Sequence, residues 1–142
     1  MTPDEFENML IKHEGFNIVG GKHRLYEDTV GKLTLGYGHN VEDNGISDAA
    51  AMFILREDIA QHAKELADHF PIVRDLDSAR YYVLVNMCFN LGIVRLAKFK
   101  KMWAYITDHN WHSASLEMLD SKWANQVGNR AIELSELMKH GD

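Results

Sequence analysis

Polar and apolar positions change their period several times along the chain, and each change marks an element. Phe6, Met9, Leu10 and His13 recur at spacings of three and four, giving one sticky face over residues 2–14. Thr2-Pro3-Asp4-Glu5 supplies an N-cap, a proline at the first helical position and a Glu three residues after the cap, and Gly15 supplies the stop. The pattern predicts a helix over 2–14. From Arg24 to His39 the period falls to two: Leu33, Leu35 and Tyr37 alternate with Thr34, Gly36 and Gly38, after turn chemistry at Asp28-Thr29-Val30-Gly31. This predicts a small hairpin or three-stranded sheet. The strand face carrying only Thr34, Gly36 and Gly38 is expected to be bare enough for a ligand or another chain to approach.

The helical period then returns and holds. Ser47 caps a run in which Met52, Leu55, Ile59, Ala63, Leu66 and Phe70 stay in phase until Pro71, predicting a long helix over 47–70. Residues 78–91 are apolar nearly all round, as a central buried helix would be, and Gly92 closes them. Shorter helical patterns follow at 94–107, 111–120 and 129–139.

Composition narrows the class without changing this outline. At 142 residues, 46% hydrophobic and 25% charged, the chain reads as one ordinary globular domain. No apolar run approaches the roughly 18 residues of a membrane span, and the N-terminus is acidic where a signal peptide would be basic. A cytoplasmic protein with no signal peptide and no stable membrane insertion is expected. The net charge of −6 comes from residues 1–80, while residues 81–142 hold seven basic and six acidic side chains. That balance speaks against nucleic acid as a partner. The basic cluster Arg95, Lys98, Lys100 and Lys101 reads either as a polyanion contact or as the solvated face of a helix.

Two carboxylates stand out chemically. Glu14 ends a helix, where the backbone dipole disfavours its charged form; partial burial would keep it protonated for proton donation, and exposure would make it a frayed end. Asp28 is at home in a turn, yet beside Glu14 it offers the second carboxylate that glycoside hydrolysis uses. Thr34 reads as a hydroxyl that positions a water or as an exposed strand residue. Metal chemistry has less support: among eight histidines the close pair is His109 and His112, and there is no H-E-x-x-H. No metal and no cofactor is expected. The single cysteine, Cys88, lies within the all-apolar helix and reads as a core thiol.

In combination these residues are far more specific. His13-Glu14-Gly15-Phe16, then Tyr26-Glu27-Asp28-Thr29 with Gly31, Thr34, Leu35, Gly36, Tyr37, Gly38 and His39, resembles the phage-type lysozymes, the muramidase family of the T-even phage enzyme. The likeness continues through Leu84-Val85-Asn86-Met87, Phe89, Gly92 and Phe99 to Ser121-Lys122-Trp123 and Asn129-Arg130-Ala131.

The resemblance implies an α+β lysozyme-like fold, with a small antiparallel sheet lobe (15–45) joined by the long helix (47–70) to a helical lobe (1–14 and 71–142), and a cleft between lobes. It implies Glu14 as general acid, with Asp28 and Thr34 handling the attacking water. His39 would close the sheet, Arg130 would pair with the catalytic Glu, and Phe89 and Asn90 would contact sugar. The implied partner is peptidoglycan, cut between N-acetylmuramic acid and N-acetylglucosamine with inversion. The implied setting is a monomeric endolysin, made in the host cytoplasm and reaching the wall through a holin lesion. The chain departs from the family pattern in a longer stretch between Glu14 and Asp28, with Gly20-Gly21 inside it, and in its acidic charge. Two other classes stay open: a lytic transglycosylase using Glu14 alone, and a non-catalytic wall-binding module.

Overall fold

The first helix, α1 (Pro3–Glu14), forms where its cap requires. The Thr2 hydroxyl accepts the Glu5 amide and the Glu5 carboxylate accepts the Thr2 amide, so two amides that a helix start leaves unpaired are satisfied reciprocally. The expected sticky face is not buried, however: α1 contains no buried residue, and Phe6 and Leu10 remain substantially exposed.

The computed structural model describes all 142 residues, which divide into two compact units, 1–52 and 53–142. The first holds α1 and every strand. Strands β1 (Ile18–Val19) and β2 (Lys22–His23) pair antiparallel with Ile18 opposite His23. Gly20 and Gly21 turn between them, both at positive φ (60° and 75°), as a two-residue hairpin turn of the right twist demands. The longer stretch between Glu14 and Asp28 thus holds a second hairpin. Its signal, Gly-Gly flanked by Ile-Val, was short but present.

Strands β3 (Tyr26–Glu27), β4 (Leu33–Leu35) and β5 (His39–Asn40) form the expected three-stranded antiparallel sheet, with β4 central. Tyr26 lies opposite Thr34, and Leu35 opposite His39. The inside-outside phase of β4 is the reverse of the one expected. Thr34 is buried at 2% exposure while Leu33 is 41% exposed, so the face expected to be bare is the covered one. Alternation fixes that two faces exist, and a two-to-three-residue strand carries too little apolar area to choose between them. A single turn of helix, α2 (Val41–Asn44), follows β5, capped by the Asn40 side chain.

The long helix α3 (Asp48–His69) has Ser47 at its cap, where the hydroxyl accepts the Ala50 amide, and ends before Pro71. The boundary between the units falls within it. No helix is long and apolar enough to cross a membrane.

The core belongs to the second unit. Its centre is α4 (Ser78–Leu91), where Val83, Leu84, Val85, Met87, Cys88 and Leu91 are buried as the all-round apolar pattern requires. Around it pack α5 (Ile93–Ala97), α6 (Lys100–Thr107), α7 (Trp111–Leu119), α8 (Lys122–Val127) and α9 (Asn129–His140). The run expected as one helix over 94–107 is therefore two, broken at Lys98-Phe99. Two buried indoles are satisfied there: Trp103 donates to the Leu96 carbonyl at 3.0 Å and stacks on Phe70 at 3.7 Å. Trp123 donates to the Asn90 side-chain oxygen at 2.7 Å.

Candidate functional site

Glu14 is the last residue of α1, and Gly15, at φ 76°, turns the chain away immediately after it. Its side chain lies against the backbone of Gly38 in the turn between β4 and β5. A Cβ on Gly38 would come within 2.7 Å of the Glu14 Cβ and 2.9 Å of its Cγ, and Gly38 also sits at φ 82°. Only glycine meets both conditions. Glu14 is exposed rather than partly buried.

Tyr26 ties the same region together. Its hydroxyl accepts the Gly38 amide at 3.2 Å and lies 3.5 Å from the carbonyls of both Gly15 and Gly36. One phenol therefore bridges the end of α1 and the β4–β5 turn. Its role was missed in the sequence because a tyrosine in a short strand carries no local sign of what its hydroxyl will meet.

Asp28 follows β3 and organises the next turn. Its Oδ1 accepts the amides of Val30 and Lys32, both at 2.9 Å, and its backbone pairs with Lys32 and Gly31. These bonds fix the carboxylate plane and leave Oδ2 for other partners. Thr34 donates its hydroxyl proton to the Lys32 carbonyl at 2.9 Å. With the proton committed, that hydroxyl can act on a further group only as an acceptor.

His39 bonds through Nε2 to the Gly45 carbonyl, closing α2 back onto β5. A ring nitrogen facing a carbonyl must carry the proton. Nearby, Lys32 lies 3.2 Å from Asp43 and 3.4 Å from Glu42. The hydrogen bonds to Asp43 and Glu42 raise the lysine above its ordinary value. The Asn40 amide, then Lys32, holds the Asp43 carboxyl below its own. All of these groups, like Glu14, Asp28, Thr34 and His39, belong to the first unit.

Arg130, Phe89 and Asn90 belong to the second unit. The Arg130 guanidinium donates through Nε and Nη2 to the Asn86 side-chain oxygen, at 3.0 and 2.6 Å. Arg130, Asn86 and Phe89, with Tyr82, Leu55 and Ile59, line a groove of about 360 Å³. Tyr82, Asn86 and Phe89 share one face of α4 at spacings of four and three. Asn90, next along the helix, does not line this groove; its side-chain oxygen is taken by Trp123. Asn86 and Tyr82 are groove residues that the sequence reading did not single out as site residues, although the i, i+4, i+7 face was there to be read.

A larger groove of about 610 Å³ lies elsewhere in the second unit. Arg95, Lys98, Lys100, Lys101 and Lys122 surround a floor that includes Phe99 and Trp123. The basic cluster noted in the sequence is therefore the rim of a depression rather than a flat helix face, and it contains none of the expected site residues.

Residues 12–140 match the model of the phage lysozyme family. The chain is 25% identical, over 86% of its own length and 89% of the relative's, to a probable T4-type lysozyme 2 of Dictyostelium discoideum. Probable T4-type lysozyme 1 of the same organism is 26% identical over the same shares. The pre-baseplate central spike protein Gp5 of Enterobacteria phage T4 is 24% identical over 94% of this chain, which corresponds to 27% of that longer protein. With a match over most of the chain and an α+β fold of a small antiparallel sheet region and many helices, this chain belongs to the phage lysozyme family.

Proposed function

We propose that this chain is a peptidoglycan hydrolase, a single lysozyme domain that cleaves the β-1,4 bond between N-acetylmuramic acid and N-acetylglucosamine. The observation that carries the reading is the seating of Glu14 against Gly38, bridged by the Tyr26 hydroxyl, with Thr34 opposite Tyr26 and Asp28 in the turn that follows β3. Glu14 is the general acid: it protonates the leaving glycosidic oxygen. Asp28, anchored through Oδ1, offers Oδ2 as the base for an attacking water, and the Thr34 hydroxyl accepts the water's other hydrogen. Water attack from the face opposite the acid inverts the anomeric centre.

In the second unit, Phe89 supplies an apolar surface on which a sugar ring can lie, and Asn86 holds Arg130 as a supporting cation beside it. Asn90 lies outside this groove, and its two side-chain amide hydrogens are left to donate to a sugar oxygen. On this reading the chain would act as a monomeric endolysin in host lysis, made in the host cytoplasm and admitted to the wall by a holin lesion.

Mass spectrometry of purified peptidoglycan digested with wild type and with Glu14→Gln tests this. Reducing-end muropeptides from wild type are expected, with turnover lowered about 10² to 10⁴-fold in the variant and the fold unchanged. Anhydro products would instead mark a lytic transglycosylase. Binding to the wall without product would mark a non-catalytic module.

A further inference from the structure

Three side chains that the function above does not use converge in the second unit. His62 and Glu65, three residues apart on α3, face the same way, and Cys88 meets them from the middle of α4. The ligand atoms of all three lie within 4.8 Å of one another, with His62 Nδ1 already 3.9 Å from Glu65 Oε2. The Cys88 sulfur rests 3.6 Å from the His62 carbonyl, which fixes the two helices at this point.

The independent observation is His62 Nδ1 itself. It is the one buried side-chain nitrogen or oxygen in the chain with no hydrogen-bond partner. Buried polar atoms are normally satisfied, and an orphan of this kind calls for a partner. The ring is held beside Phe89, with centroids 5.3 Å apart, so its orientation is set by packing rather than by a bond to Nδ1. Glu65 is also oriented from behind, since Gln61 donates to its Oε1 at 3.2 Å while Oε2 faces the histidine. An outer partner of this sort is what holds a ligating carboxylate in place.

We propose that His62 Nδ1, Glu65 Oε2 and the Cys88 sulfur bind one divalent cation of the Zn²⁺ class, with a fourth position open to water. The donor set selects that class. A thiolate and an imidazole favour borderline and soft cations, whereas Mg²⁺ and Ca²⁺ take oxygen ligands. Bond lengths of about 2.0 to 2.3 Å in a tetrahedral site require the ligand atoms to close in by about 1 Å, within reach of side-chain rotation on fixed helices. The side chains of His62 and Glu65 are 25% and 37% exposed, although His62 Nδ1 and Cys88 are themselves buried. Cys88 loses its proton to solvent on binding, and sulfur takes the place of that proton on the metal.

The test is titration of the chelator-treated full chain with Co²⁺, followed by absorbance and then by displacement with Zn²⁺. One equivalent should bind, with the intense thiolate-to-cobalt charge-transfer band and the visible bands of tetrahedral cobalt. Zn²⁺ should abolish both and raise Tm. His62→Gln, at a partly exposed position, should weaken binding by more than about 100-fold, because even outer-shell partners account for about 10- to 100-fold. Cys88→Ser should remove the charge-transfer band. A paired His109→Gln, His112→Gln variant should bind as wild type does. A folded wild type without the charge-transfer band would overturn the site, as would full affinity in His62→Gln or binding lost in the His109 and His112 variant. None of these readouts depends on wall hydrolysis, so the site stands or falls separately from the proposed function.

Discussion

Gly38 sets the position of Glu14 by having no side chain. Its φ of 82° and the 2.7 Å separation that a Cβ would have from the Glu14 Cβ act together. In Gly38→Ala the backbone term alone costs about 1 to 2 kcal/mol. Relief of the clash must then displace the first carbons of the Glu14 side chain, since neither is the loose end of a flexible group. A shift of about 1 Å at a reacting group costs about 10²-fold in rate. Gly38→Ala is therefore expected to lose about 10²-fold in turnover and to melt lower, measured by muropeptide release and thermal denaturation. A variant with wild-type turnover would show that the close approach does not position Glu14. The glycine and its neighbours Leu35, Gly36, Tyr37 and His39 were legible as a motif. The contact with Glu14 was not, because it depends on how α1 and the β4–β5 turn meet across twenty-three residues of chain.

At the scale of elements, the start of α4 is tied to the end of α9. Asp77 caps α4 and accepts from Arg80 Nη1 at 3.1 Å, while Arg80 Nε and Nη2 donate to the carbonyls of Met138 and Lys139 at 2.7 and 3.0 Å. Those are carbonyls of the last turn of α9. Asp142 returns the connection, its amide donating to Asp77 and its carboxylate accepting from Ser78 and Ala79. The guanidinium also lies over Trp111, 4.1 Å from the ring centroid. Arg80→Ala removes an ion pair, two carbonyl bonds and a stacking contact at a side chain only 12% exposed, so a loss of about 3 kcal/mol is expected from denaturant titration. Burial raises the Asp77 carboxyl, but the hydrogen bonds and charge of Arg80 outweigh it and hold the group below its ordinary value. A depressed folded value means the stabilisation is complete above the unfolded value of about 3.9 and disappears as pH falls through the folded one. The difference in stability between wild type and Arg80→Ala should accordingly narrow below about pH 4. A difference that stays constant into acid would assign the effect to packing alone.

Across the whole molecule, the two units are stabilised very unequally. Within residues 1–52 a single residue, Thr34, is buried, whereas the second unit holds the entire apolar core. Strands of two or three residues with exposed faces bury too little area to resist local opening, while α4 opens only when the core does. Hydrogen exchange followed by mass spectrometry should show β1 and β2 exchanging earliest, the β3–β5 sheet next, and α4 last. Protection of the β1–β2 amides equal to that of α4 would contradict this ranking.

What sequence alone determined is whatever rests on local physics. The capping box of α1, the turn signals around Asp28, the Ser47 start and Pro71 stop of α3, and the all-round apolar run of α4 each depend on residues within a few positions of one another, so their outcome could be read directly. Glu14, Asp28 and Thr34 stood out together only through the resemblance to the phage-type lysozymes. Tertiary structure decided everything that depends on which surfaces meet. It chose the buried face of β4, against the expected one, because alternation is symmetric until packing breaks the symmetry. It turned Arg130 onto Asn86, gave Asn90 to Trp123 rather than to the groove, and left Phe6 and Leu10 uncovered. It also brought His62 and Glu65 to Cys88, twenty-three residues further along, a meeting that no spacing announces because it requires two helices to pack at one particular register.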